Sequence, residues 1–112
     1  MKQENKFKQD LKAEILARLP GSIVLHLDPQ DIQGVPDMLV LYNDRWAALE
    51  GKKSAKASHR PNQDYYVDKL DDMSFARFIF PENKEEVLND LQQTFQPRRT
   101  ARLSRREQVP LD

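Results

Sequence analysis

The chain predicts an α/β protein, a small central mixed sheet flanked by helices, and three observations carry that expectation. Apolar residues recur at helical spacing near both ends, as Phe7, Leu11, Ile15 and Leu19 and again as Val87, Leu88, Leu91 and Phe95. Segment 36–51 reads as a hairpin whose strands are apolar on both faces, with Leu39, Leu41, Trp46 and Ala48 on one and Met38, Val40, Ala47 and Leu49 on the other. Strands of that kind are central and covered on both sides. The helical and extended patterns follow one another as αβββαβα, the order of a layered fold in which helices cover a sheet.

Each element has its own justification. Residues 3–19 set their apolar stripe among lysines and acids, and Pro20-Gly21 ends the run. Ser22–Leu27 is β-branched and apolar, which suits a strand, and 28–34 is a polar loop with proline and glycine. In the hairpin, Asn43 and Asp44 form the turn, so Tyr42 pairs with Arg45. Residues 53–61 are basic and turn-like. Asn62–Met73 reads as a helix capped by Asn62 and packed through Tyr66, Val67 and Leu70. Phe75–Phe80 is a short aromatic strand ended by Pro81, and 82–95 is a helix with acids in its first turn and Pro97 just past its end.

Composition bounds the function. At 112 residues the chain makes one domain, and its 18 basic and 18 acidic residues balance. The distribution is polarised: Arg98, Arg99, Arg102, Arg105 and Arg106 crowd the last stretch and leave the preceding part mildly acidic. Residues 97–112 hold too few apolar groups for a core and read as a flexible basic tail after a domain of 1–96. Without cysteine there is neither a disulfide framework nor a thiolate zinc site, and a reducing cytosol is the economical compartment. No apolar run approaches a membrane span, and no hydrophobic segment follows the N-terminal lysines, so a soluble cytoplasmic protein is expected.

The hairpin carries the chemistry. If the Tyr42–Arg45 register continues, Asp37 lies opposite Glu50. Directly opposed side chains have Cβ atoms about 4.5–5.5 Å apart, and two carboxylates held there repel unless a cation sits between them, a divalent metal being the obvious candidate. Lys52 projects from the same face as Glu50, which sets two acids and an amine around one point, as metal-dependent phosphodiester cleavage needs. The bland alternative is a surface hairpin with solvated charged ends; charges closing apolar strands argue against it.

Pro36-Asp37, a hairpin, then Glu50-Gly51-Lys52 resembles the PD-(D/E)xK nuclease superfamily, and the Gly34-Val35-Pro36-Asp37 lead-in is closest to its small members, the virus-type replication-repair nucleases and the archaeal-type Holliday junction resolvases. The resemblance spans roughly residues 10–80. It implies a restriction-endonuclease-like αβββαβ core and a magnesium-dependent DNA endonuclease, with manganese substituting, that leaves a 5′-phosphate. Asp37 and Glu50 would be the metal carboxylates and Gly51 would add its backbone carbonyl, while Lys52 would position the attacking water. Magnesium keeps several waters, so such a set suffices. Glu14 is the candidate for a further acid on the first helix, with a solvated helix glutamate like Glu4 as the alternative; Asp28 and Asp31 are weaker candidates. Gln63 stands where the virus-type enzymes place a glutamine near the lysine.

Lys53, Lys56, His59 and Arg60 follow the motif directly and are expected on the DNA backbone. No partner acid is evident for His59, which makes it a phosphate donor rather than a general base. His26 and Trp46 read as structural, and Tyr65 or Tyr66 as a stacking surface or core. The five tail arginines are expected on DNA as well, with RNA or a protein partner as the alternative for the tail. The reading is a DNA endonuclease selective for branched substrates; its rival is a catalytically inactive nucleic-acid-binding protein on the same fold. A homodimer supplies the two cuts a junction requires, and Phe75–Phe80 offers apolar material for its interface unless the last helix covers those aromatics.

Overall fold

In a computed structural model, which describes residues 2–28 and 31–96, the chain forms α1 (Lys2–Arg18), β1 (Ile23–His26), β2 (Met38–Tyr42), β3 (Arg45–Gly51), α2 (Pro61–Met73), β4 (Ala76–Ile79) and α3 (Lys84–Phe95). This is an α/β fold with a four-stranded mixed sheet in the order β1-β2-β3-β4. The first two pairings are antiparallel and the third is parallel. The parallel pair cannot be closed by a tight turn, and α2 supplies the crossover.

Both expected hairpin strands are the central ones. Their register runs Met38↔Leu49, Leu39↔Ala48, Val40↔Ala47, Leu41↔Trp46 and Tyr42↔Arg45. Asn43 takes a left-handed φ of 55° in the turn, a conformation asparagine tolerates better than most residues. One sheet face presents Val24, Met38, Val40, Ala47, Leu49 and Ile79, which pack with Leu11, Ile15 and Leu19 from the α1 stripe and Val87, Leu88, Leu91 and Phe95 from α3. The opposite face is covered over β3 and β4 by α2, where Val67 and Leu70 meet Ala48, Ala76, Trp46 and Phe78. Phe75 and Ile79 are buried with the α3 residues, so α3 covers this part of the segment expected to supply a dimer interface. The exposed aliphatic residues of the sheet are Ile23 and Leu25, on edge strand β1.

Two details differ from expectation. Helix α2 begins at Pro61, and Arg60 rather than Asn62 is its N-cap; proline fits the first helical position because its missing N–H would have been unpaired there. The Asn62 amide instead donates to the Gln33 carbonyl oxygen at 3.2 Å. At the other end Ser74 caps the helix, its backbone N–H bonded to Leu70 O and its hydroxyl donating to the Trp46 carbonyl.

Candidate active site

The geometry of β3 creates the site. This strand lies between an antiparallel and a parallel neighbour, so the chain enters β2 and leaves β3 at the same end of the sheet, where α2 also starts. Residues from the α1 N-terminal half, loop 33–37, the end of β3, loop 52–60 and the first turn of α2 enclose a cavity of about 880 Å³ there. Asp37, Glu50 and Lys52 all line it, as does Gln63. The four side chains expected to act together are thus brought together.

Alternation explains how. Trp46 and Ala48 face α2, so Glu50 faces the same side at the end of the strand. Asp37 continues β2 by one residue, its carbonyl accepting Leu27 N–H at 2.8 Å, and its Oδ1 accepts the Gly51 N–H at 3.4 Å. Glu50 is 5% exposed and Lys52 8%, and they are the only charged residues buried among those described. Lys52 Nζ donates to Gln63 Oε1 at 2.9 Å, and Gln63 Nε2 donates to Glu50 Oε2 at 3.3 Å. Gln63 Oε1 also accepts Arg60 N–H at 3.1 Å, so the amide that caps the start of α2 spaces the lysine from the glutamate. Burial, and after it the Asp37 carboxylate, pushes the Glu50 pKa up to about 7; Lys52 and Lys8 pull it the other way.

Lys8 also lines the cavity, and sequence reasoning missed it. Its ammonium forms a direct ion pair with Asp37 Oδ2 and a second with Glu4 at 3.3 Å. Asp37 Oδ2 is shielded from solvent, with the Lys8 ammonium as its charged partner. Burial works to lower the Lys8 pKa, but Asp37 and then Glu4 more than offset it and the net shift is upward. Its stem crosses Gly51, where a Cβ would stand 3.0 Å from Lys8 Cγ and 3.1 Å from Cε. The signal was present: Glu4 and Lys8 extend the Leu11–Ile15 stripe by a turn each, and charges on a core-facing stripe need a partner.

Glu14 is not at the site, a correction to the expectation for the first helix. Its carboxylate accepts Arg18 Nη2 at 2.7 Å and Lys84 Nζ at 2.8 Å, and it clasps α1 to α3; the Lys84 bond leads in lowering its pKa. Six residues beyond Lys8, it lies about 9 Å further along the helix axis. Glu4, set aside as a solvated residue, lines the cavity instead. Neither Asp28 nor Asp31 lines it.

Lys53, Lys56 and Arg60 line the cavity, whereas His59 does not. Its ring stacks on Phe78 at 3.9 Å between centroids, and Nδ1 lies 3.0 Å from Asp64 Oδ1, a partner acid that the spacing did not reveal. Tyr65 is exposed and packs edge-on against half-buried Tyr66; neither lines the cavity. Arg98, Arg99, Arg102, Arg105 and Arg106 lie outside the described residues.

Among the described residues, His, Cys, Asp and Glu side chains nowhere gather in a group of three that could hold a metal ion. The groups able to bind one at this cavity are the opposed carboxylates of Asp37 and Glu50; Gly51, expected to add its carbonyl, is not among the lining residues. Two features suit this donor set to a cation: the Lys8 ammonium already sits against Asp37 Oδ2, and Asp37 and Glu50 repel. Among the described residues no helix is long and apolar enough to cross a membrane. No protein-family model matches this chain, and no curated protein or solved structure is similar to it at a significant level.

Proposed function

We propose that the protein is a metal-dependent DNA endonuclease of the PD-(D/E)xK type, built on a restriction-endonuclease-like core. The observation that carries the reading is the convergence of Asp37, Glu50, Lys52 and Gln63 on one cavity, with Lys52 and Glu50 buried and bridged by the Gln63 amide. Burying a lysine and a carboxylate is costly, and a purely structural strand end has no use for both. A divalent ion held by Asp37 and Glu50 would supply Lewis acidity to the scissile phosphate and lower the pKa of a bound water. The chain's own groups do the rest. Lys52, held at 2.9 Å from Gln63 Oε1, keeps a fixed ammonium beside Glu50, from which it orients the attacking water and offsets charge growing on the phosphate oxygens. Gln63 is a positioning residue. Lys53, Lys56 and Arg60 at the rim hold neighbouring phosphates without reading bases.

Lining cations outnumber acids, Lys8, Lys52, Lys53, Lys56 and Arg60 against Glu4, Asp37 and Glu50, which suits a polyanion. Branched DNA is the favoured substrate, because a two-fold dimer would present two such cavities to a junction. A second reading, a nucleic-acid-binding protein without catalysis, draws support from the ammonium of Lys8 on Asp37. Incubation with labelled supercoiled, linear and four-way-junction DNA, with EDTA, Mg2+ or Mn2+, separates them. The nuclease reading expects metal-dependent cleavage lost in Lys52→Ala; binding to all three without any cleavage establishes the second.

A further inference from the structure

We propose that Lys8 is a displaceable counter-cation: its ammonium neutralises the Asp37–Glu50 pair in the metal-free protein and a divalent ion must dislodge it to bind. The proposal rests on the nuclease reading of this site. Three geometric observations carry it. The Lys8 ammonium contacts Asp37 Oδ2, a buried oxygen that has no hydrogen-bond donor besides it, so a metal ion can take that place only if the ammonium moves. Its path to that oxygen runs over Gly51: the glycine belongs to the sheet face that α1 covers, the carboxylates to the other, and a Cβ there would press on the stem at 3.0 Å from Lys8 Cγ. It also has a second resting place, because Glu4 lies one turn back on the same helix, 3.3 Å from the same ammonium. A side chain with two carboxylates in reach can surrender one and remain paired.

This arrangement explains how two opposed carboxylates survive in a folded chain without metal. A monovalent charge on a flexible stem satisfies them loosely, whereas a second arginine-like fork would hold them too firmly to exchange. The ammonium leaves for Glu4 when the stronger charge arrives, and the metal site opens by a side-chain rotation rather than a loop movement.

Isothermal titration of Mn2+ alone into EDTA-stripped, dialysed full-length protein tests this. Lys8→Met keeps the unbranched stem over Gly51 and removes only the charge; it should bind Mn2+ about tenfold more tightly, about 1.4 kcal/mol. Its metal-free Tm should fall, because the carboxylates lose their counter-charge, and Mn2+ should raise that Tm by more than it raises the wild type's. Lys8→Arg, which retains a cation, should bind no more tightly than wild type. Glu4→Gln should weaken Mn2+ binding in the wild type, where it removes the resting place, and have no effect in the Lys8→Met background. Wild-type binding that Lys8→Met leaves unchanged or weakens overturns the proposal while the metal site stands, and so does a Glu4→Gln effect that persists without Lys8. No Mn2+ binding by wild type or Lys8→Met overturns the nuclease reading and this proposal with it.

Discussion

Glu50→Gln changes charge at nearly constant shape, and its effect on stability should change with pH. Burial, then Asp37, with a smaller contribution from Glu4, raises the Glu50 pKa from 4.5 to about 7 against the pull of Lys52 and Lys8. A carboxyl raised in this way holds its proton more tightly in the native state than in the unfolded chain. The Glu50 contribution to stability is therefore greatest below about pH 4.5, falls as pH climbs toward about 7, and levels off above it. The full excursion is worth about 3 kcal/mol as a ceiling, since one flank of the carboxylate opens on the cavity. Glutamine keeps an acceptor for Gln63 and never ionises, so it escapes that cost. Thermal melts of both proteins in EDTA should nearly coincide at pH 4.5 and separate at pH 8, with the variant higher by on the order of 10 °C. Saturating Mn2+ should stabilise the wild type, by about 2.7 kcal/mol at a hundredfold excess over Kd, and do little for the variant. A constant offset at all pH values, or a less stable variant at pH 8, would falsify the claim that burying the Glu50 charge costs more than Lys52 and Lys8 return.

Cleavage assays should show Asp37→Asn, Glu50→Gln and Lys52→Ala each removing nearly all activity, with double variants losing little more, because residues that act as a unit are not additive; substantial activity in Glu50→Gln contradicts the unit. Gln63→Ala should cut the rate by about 10- to 100-fold, as loss of a supporting shell does, while filter binding to DNA in EDTA stays near wild type; a matching loss of binding would make Gln63 a DNA contact instead. Deleting residues 97–112 should preserve the fold by circular dichroism and reduce the slope of log affinity against log salt by about 3–4 on duplex DNA; an unchanged slope assigns the five arginines to another partner.

The hairpin was legible because a period of two, once anchored by a two-residue turn, fixes every pair and every face. That is how Asp37, Glu50 and Lys52 could be placed together, whereas Gln63 was reached only through the family resemblance. Helix α1 was legible only in part. Its stripe named the buried face, but periodicity does not say which turn of a helix crosses the end of a strand, and so Glu14 was preferred to Glu4 and Lys8 went unnoticed. The loop after β3 has no period at all, so proximity along the chain was the only guide. It served for Lys53, Lys56 and Arg60 and failed for His59, whose ring turns to Phe78. Pro61 marked the first turn of α2 more firmly than Asn62 did, since proline's fixed φ suits that position and the asparagine next to it bonds elsewhere.

Why the charges sit where they do follows from the packing beneath them. Met38, Val40, Ala47 and Leu49 are almost inaccessible, and together with the α1 and α3 residues they hold β2 and β3 in one register. Slipping that register by one residue would turn those side chains toward α2 and drive Leu39 and Ala48 into the larger core, a cost far above anything the carboxylates can exert. The core therefore forces Asp37 and Glu50 to face each other, and the repulsion between them is carried by the fold rather than relaxed by it. Relief has to come from a cation, and two kinds are within reach of the pair: ammonium groups from this chain, Lys52 on the same strand and Lys8 across Gly51, and ions from solution. Lys52 is committed to Gln63 at 2.9 Å. The remaining position, against Asp37 Oδ2, is the one where on the proposed reading a metal ion would compete with Lys8, and it is there that metal binding should be most sensitive to a single substitution.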